Sequence, residues 1–236
     1  MNKTIMQFFE WNLPPDGGHW NFLKDHSKTL SDVGIDTLWL PPAYKGAGGN
    51  NDVGYDVYDL YDLGEFDQKG TVRTKHGTKD EYINAIDEAH KNGIKILADI
   101  VLNQKGGADE SEWVKAVKVD PKDRNNKISG EYDIKAWTKF NFAGRGNSYS
   151  DFKWNWECFD GVDWDQNKKE SAIFEFTGLG KAWDSEVDDE NGNYDFLMLS
   201  DIDVSSPAVY DELLKWALWY VEIAHRSEER RVGKEC

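Results

Sequence analysis

The chain has 236 residues, 39% of them hydrophobic and 14% aromatic, with a formal net charge of −16 at pH 7. That length and apolar content suffice for a packed core and exclude a disordered chain. The acidic balance argues against nucleic acid and anionic membranes, which select basic surfaces, and suits cations or a neutral ligand. Eleven Trp supply flat faces with a polar edge, a shape compatible with sugar rings, although most such rings serve cores. The two Cys, Cys158 and Cys236, do not make a disulfide framework. Met1–Gln7 runs straight into a strand-like segment without the apolar stretch of a secretory leader, and nothing approaches a membrane span. A cytoplasmic setting is therefore expected, with a processed secreted form as the alternative.

In chain order, Thr4–Phe9 is predicted as a strand. Trp20–Val33 follows as a helix with Phe22, Leu30 and Val33 at helical spacing and Gly34 in the C-cap region. Ile35–Leu40 is a short apolar strand stopped by Pro41 and Pro42. Thr78 with Glu81 three residues on predicts a capping box for a helix through Ile83, Ile86 and Ala89, which Gly93 ends. Ile94–Leu102 is a nearly continuous apolar run, the pattern of a strand buried on both faces of a parallel sheet.

This β-α-β-α-β order predicts a parallel α/β fold, either doubly wound or a (β/α)₈ barrel. The Gly-x-Gly-x-x-Gly signature is missing from the first strand–helix turn, which weakens the dinucleotide-binding version. The long aromatic loop Ala43–Lys75 sits where a barrel builds its site. From Gln104 to about Asp203 helical periodicity disappears, and the stretch is predicted to be an inserted, mostly β subdomain. A helix resumes over Pro207–Ile223, with Pro207 at a plausible N1 position. Arg226–Cys236 is polar and without strand alternation, and is expected to be a non-native tail. The expected divisions are 1–103, 104–203, 204–225 and 226–236.

One constellation stands out. Asp184, Asp195, Asp201 and Asp203 lie close in sequence, with Asp160 upstream and Asn103 at the end of the third strand. Calcium takes six to eight oxygen ligands from such groups. From composition alone, a metal cluster and a set of ordinary turn aspartates both remain open.

The blocks Met6-Gln7-Phe8-Phe9-Glu10-Trp11, Leu38-Trp39-Leu40-Pro41-Pro42-Ala43-Tyr44-Lys45-Gly46, Val53-Gly54-Tyr55-Asp56, Tyr58–Phe66 and Asp99-Ile100-Val101-Leu102-Asn103 resemble those of bacterial α-amylases. The likeness is greatest to the liquefying and cytoplasmic enzymes and runs from Met1 to about Ala224. It implies a (β/α)₈ TIM barrel, incomplete here, with a mostly-β B domain inserted after the third strand. It also implies retaining endo-hydrolysis of α-1,4-glucans, which uses two carboxyl groups about 5 Å apart. The family's nucleophile block, of the form Gly-Phe-Arg-Leu-Asp, has no match after Ala224. No catalytic residue is therefore expected in this chain, which reads as an N-terminal fragment without activity of its own. A carbohydrate-binding fragment and a transglycosylating relative are the alternatives. Asp59, Asp62 and Glu65 are expected to serve loop structure or solvated surface.

The same resemblance implies calcium, with sodium between two ions, held by Asn103, Asp160, Asp184, Asp195, Asp201 and Asp203. Ser205 stands where the family has a further carboxylate, which implies weaker affinity. Gln7 and Tyr55 match positions that contact the sugar beside the scissile bond. Gln104 stands where the family usually has His; its amide donates a hydrogen bond but carries no charge. The implied partner is an α-glucan polysaccharide or maltooligosaccharide, with no nucleic acid, no membrane and a monomeric state.

Overall fold

A computed structural model describes residues 3–184, 195–224 and 232–233. They form two compact units. The first holds residues 3–101, 143–150, 215–224 and 232–233; the second holds 102–142, 151–184 and 195–214.

In the first unit, β1 (Ile5–Gln7), β2 (Thr37–Leu40) and β5 (Lys95–Ile100) are parallel neighbours, with Met6 opposite Leu38 and Trp39 opposite Leu97. Helices α1 (His19–Asp32) and α2 (Lys79–Lys91) connect them in the β-α-β-α-β order that the sequence predicts. The observed strands are shorter than the predicted ones. At the start of β2 the N–H groups of both Asp36 and Thr37 donate across to the single acceptor Thr4 O at 3.3 Å.

Helix α1 ends as expected. Gly34 adopts φ +91°, and its N–H closes on Ser31 O at 2.9 Å while Ile35 N–H reaches Leu30 O at 3.0 Å. A side chain with Cβ is disfavoured in that left-handed turn. The buried face of α1 is not the predicted one. Trp20, Leu23 and Ser27 point inward, whereas Phe22 and Val33 are 53% and 71% exposed. Helix α2 buries Tyr82, Ala85, Ile86 and Ala89, and its capping box is complete: Thr78 accepts from the Glu81 N–H and Glu81 from the Thr78 N–H.

The loop after β2 carries an antiparallel pair, β3 (Lys45–Gly46) and β4 (Val57–Asp59). Asp59 and Asp62 are 1% and 0% exposed, so of the two roles expected from sequence they take loop structure and not solvated surface. Asp59 accepts from Arg145 Nε at 2.8 Å and from Gln68 Nε2 at 2.9 Å. Asp62 accepts from the N–H groups of Gly64, Glu65 and Phe66 and lies 3.4 Å from Lys45 Nζ. Glu65 pairs with Lys79 at 2.9 Å in a more open setting. Arg145 lies within the stretch that the sequence assigns to the insertion, yet segment 143–150 packs with the first unit.

The second unit is mostly β, as the fold class requires. Its sheet runs β6 (Gln104–Lys105), β12 (Ser200–Ile202), β10 (Phe159–Asp165), β11 (Glu170–Phe176), β7 (Glu110–Asp120) and β8 (Asp123–Lys127), with β9 (Tyr132–Lys139) also pairing β7. The neighbouring pairs are antiparallel. Helix α3 occupies Pro207–Ile223, the predicted span. Its residue Tyr220 meets Tyr82 hydroxyl to hydroxyl at 2.6 Å, and Trp216 Nε1 donates to Leu60 O at 2.8 Å. Of the tail set aside in the sequence, only β13 (Val232–Gly233) is described; it pairs in parallel with Asp99 and Ile100.

Candidate cation and sugar sites

The acidic cluster belongs wholly to the second unit. Strand β10 carries Asp160, and β12 carries Asp201 beside Gln104 of β6. Asp203 follows β12, where its N–H donates to Cys158 O at 3.0 Å. Asn103 Nδ2 donates to Phe196 O at 2.7 Å and to Asp201 Oδ1 at 3.3 Å. Asp195 Oδ2 accepts from the Asp184 N–H at 2.9 Å. Asp184 is itself exposed and is the last described residue before 195. Among the described residues, no three carboxylate, imidazole or thiol groups converge tightly enough to enclose an ion.

Burial sets the electrostatics. Asp160, Asp195, Asp201 and Asp203 are 4%, 9%, 1% and 3% exposed. Desolvation first, and then the charges of Asp203 and Asp195, pushes Asp160 up to about 7. Desolvation, reinforced by Asp195 and Asp160, raises Asp201 well above the carboxylate range. Asp195 is raised by burial as well. Burial also works against the charge of Asp203, but Lys181 Nζ at 2.6 Å and Ser205 Oγ at 2.6 Å hold it below its ordinary value. Asp160 Oδ1 and Asp201 Oδ2 are buried without a hydrogen-bond partner. Four buried carboxylates thus outnumber the cations acting on them, Lys181 and Arg124, and two of them keep an oxygen without a partner.

Lys181 is the part of this cluster that sequence reasoning missed. A lysine in a polar loop ordinarily stays solvated, and nothing in its neighbourhood marks it as buried. Gly161 does have a local reason: a Cβ there would stand 2.4 Å from the Trp183 ring and 2.5 Å from Phe174 O. Glycine on β10 therefore lets that indole lie against the strand. Arg124 covers the same ring, 5.0 Å from its centre.

The expected sugar contacts divide between the units. Gln7 ends β1, is exposed, and donates to Phe9 O at 3.1 Å. Tyr55 is half-buried and donates to Asp99 Oδ2 at 2.8 Å. The Trp11 ring, 66% exposed, lies parallel to it at 6.0 Å and 5°. Those two rings form an anchored aromatic platform with one open partner. Gln104, in the second unit, is 5% exposed.

The second unit also contains a cavity of about 390 Å³, lined by Trp137, Trp164, Val162, Leu199 and Lys105, with Asp163 as its acid. Leu199 adopts φ +62°. Asp163 holds it there from both sides: its Oδ2 accepts from Leu199 N–H at 2.9 Å and its N–H donates to Leu199 O at 3.2 Å. A strained backbone kept by a reciprocal clamp beside two indoles is the kind of wall that orients a ring-shaped ligand. The abundance of Trp hinted at such a surface, but the sequence did not say which Trp would line it.

The family described as "Alpha amylase, catalytic domain" matches residues 5–224. An α-amylase of Geobacillus stearothermophilus is 60% identical over 220 residues, 93% of this chain and 40% of that protein. A cytoplasmic α-amylase of Escherichia coli is 43% identical over 223 residues, 94% of this chain and 45% of that protein. Among solved structures, a truncated alternansucrase from Leuconostoc mesenteroides is similar at TM-score 0.51 and 26% identity, over 58% of this chain and 13% of that one. The chain thus spans about two-fifths of the length of the curated relatives it matches.

Proposed function

The chain belongs to the α-amylase family of glycoside hydrolases, and from that premise we propose that it is part of an enzyme that hydrolyses internal α-1,4-glucosidic bonds of starch-like or glycogen-like glucans with retention. The observation that carries this is 60% identity to a bacterial α-amylase over nearly the whole chain. The three parallel strands are then consecutive strands of a (β/α)₈ barrel, and the second unit is its inserted B domain. A cytoplasmic setting follows the relative named for it, and the working state is a monomer. No helix of the described residues is long and apolar enough to cross a membrane.

Within this proposal Gln7, Tyr55 and Gln104 contact the sugar. Tyr55, fixed through its hydroxyl by Asp99, keeps its ring face for stacking. α-Amylases generally depend on calcium, and the partnerless buried oxygens of Asp160 and Asp201 support that ion here. Asp160, Asp195, Asp201 and Asp203 with Asn103 would hold calcium, sodium sharing the site, with Asp184 at its edge. Calcium would supply the positive charge that the cluster lacks and so fix the geometry of the second unit. The chemistry needs a carboxylate nucleophile and a carboxylic acid facing one glycosidic bond. No match to the family's nucleophile block occurs in residues 1–236, so these residues orient glucan and other residues cleave it.

Reducing-sugar release from soluble starch tests the proposal. The protein with its natural downstream sequence should release it in calcium, and residues 1–236 alone should not. Release by residues 1–236 would place a catalytic pair within them and overturn that division. The likeness to alternansucrase supports a second reaction, glucosyl transfer. Oligosaccharides longer than maltoheptaose, formed together with the shortened donor chains, would favour it.

A further inference from the structure

Three buried polar atoms without partners belong to neighbouring rings at the start of α1 and just before α2. They are His19 Nε2, His76 Nδ1 and Trp20 Nε1. The His19 and His76 ring centres are 5.5 Å apart, and each lies 5.3 Å from Trp20. The backbone fixes this proximity: Gly17 N–H donates to Lys75 O at 3.2 Å and Trp20 N–H to His76 O at 3.1 Å. His76 is 3% exposed, while His19 is half-buried and leaves a route from solvent.

Each imidazole has its other nitrogen engaged by a backbone carbonyl. His76 Nε2 faces Val53 O at 3.4 Å, and His19 bonds the Phe8 carbonyl. A carbonyl only accepts, so these contacts put the protons on His76 Nε2 and His19 Nδ1. The partnerless nitrogens, His76 Nδ1 and His19 Nε2, therefore carry bare lone pairs. Burial, then the neighbouring His19, holds His76 down to about 3. Burial lowers His19 too. Both rings are neutral near pH 7, the form that ligates metals. A histidine whose second nitrogen donates to a backbone carbonyl is the usual outer-shell arrangement of a metal ligand.

We propose that His19 and His76 form a site for a borderline divalent transition-metal ion such as Zn²⁺, with water completing its shell. Two imidazoles on one zinc, at Zn–N distances of about 2.0–2.1 Å, place their ring centres about 5–6 Å apart, and the pair observed here stands at 5.5 Å. Trp20 Nε1 is donor-only and ligates nothing, but it can donate to the oxygen of a metal-bound water. Asp16, whose charge already acts on His19, offsets part of the cation's charge. Nitrogen donors distinguish this site from the oxygen-rich cluster, which selects calcium. One ligand opens α1 and the other precedes the cap of α2, so the ion would tie the entries of both helices together. A single water bridging the three atoms is the competing occupant.

The test uses the full chain saturated with Ca²⁺, so that the oxygen sites are filled. It is titrated with Zn²⁺ by calorimetry and with Co²⁺ by visible absorption. One equivalent of Zn²⁺ should bind and raise the melting temperature, and Co²⁺ should develop bands of nitrogen ligation. His76→Phe and His19→Gln should each weaken binding about tenfold or more. No binding, or binding by both variants as tight as by the unmodified protein, overturns the proposal. If a variant does not fold, ¹⁵N spectra of the unmodified protein decide. Zn²⁺ should shift His76 Nδ1 and His19 Nε2, and unchanged resonances would assign the three atoms to a water.

Discussion

Two buried charge clusters in this chain have opposite balances. In the first unit, Asp59 and Asp62 face Arg145 and Lys45, two anions against two cations, and amide donors fill the remaining lone pairs. In the second unit, four carboxylates face two cations: Lys181 acts on Asp160 and Asp203, and the charge of Arg124 acts on Asp195 and Asp201. Both clusters are out of water, where a charge is tolerated only when it is paired. The first is complete as it stands. The second must bind protons or acquire a cation. A shortfall of positive charge, rather than an abundance of aspartates, separates a binding cluster from a structural one.

Removing one member of the balanced cluster should have the largest effect. Arg145→Ala strands Asp59 at 1% exposure and is expected to cost about 3–5 kcal/mol, the usual result of breaking a buried pair. Denaturant unfolding of the full chain measures it, and calcium should leave the loss unchanged. A loss under about 1 kcal/mol, the range of a surface pair, would mean that the network is not the lock its geometry suggests. Asp201→Asn should behave in the opposite way. With calcium chelated, burial and then Asp195 raise Asp201 well above the carboxylate range, which favours its uncharged form. Asparagine then mimics it, and stability should change by less than about 1 kcal/mol. The calcium-dependent gain should vanish instead, about 2.7 kcal/mol for an ion at a hundred times its dissociation constant. If Asp201→Asn in the metal-free protein is as costly as Arg145→Ala, the contrast between the clusters fails.

The first unit was largely legible in the sequence because its signals are local. A capping box at Thr78, a glycine at position 34 and an apolar run at β5 each act within a few residues, and each appears where expected. The buried stripe of α1 was misread because Trp20 and Leu23 do not share the Phe22 and Val33 face, and Ser27 is buried by donating to its own helix at Leu23 O. Arg145 was invisible as a partner of Asp59. The two are joined across a long stretch of chain, and no propensity carries that distance. Composition left the acidic residues open between a metal cluster and ordinary turn aspartates; the fold joins Asn103 to Asp201 and Asp184 to Asp195. Lys181 was not legible, because burial of a charge depends on what packs over it.

Acidity sharpens the comparison further, by a smaller amount. Without calcium, Asp160 titrates near 7 in the folded chain against an ordinary 3.8. Its folded value is raised, so its contribution to stability is fully present below about pH 4 and is lost as pH rises through about 7. The metal-free protein should therefore weaken over that interval. Calcium should reverse the trend, because it replaces the proton. Calorimetry near pH 6 in two buffers of different ionisation enthalpy should detect proton release on calcium binding. The same heat in both buffers would show that Asp160 is already ionised.

The smallest expected effect lies in the first unit and serves as the control for the others. Thr78→Ala removes one half of the α2 capping box, the bond from the Glu81 N–H to the threonine hydroxyl at 3.3 Å. Glu81 keeps its own bond from the Thr78 N–H at 2.8 Å, and Arg73 and Asn21 at 2.6 and 2.8 Å, so the carboxylate stays in place. The loss should be about 1 kcal/mol, and Thr78→Ser should restore most of it. Because no partner in this box depends on the acidic cluster, the loss should be the same with and without calcium. A calcium-dependent loss would mean that the two units are coupled in stability, and the two clusters would then have to be treated as one system.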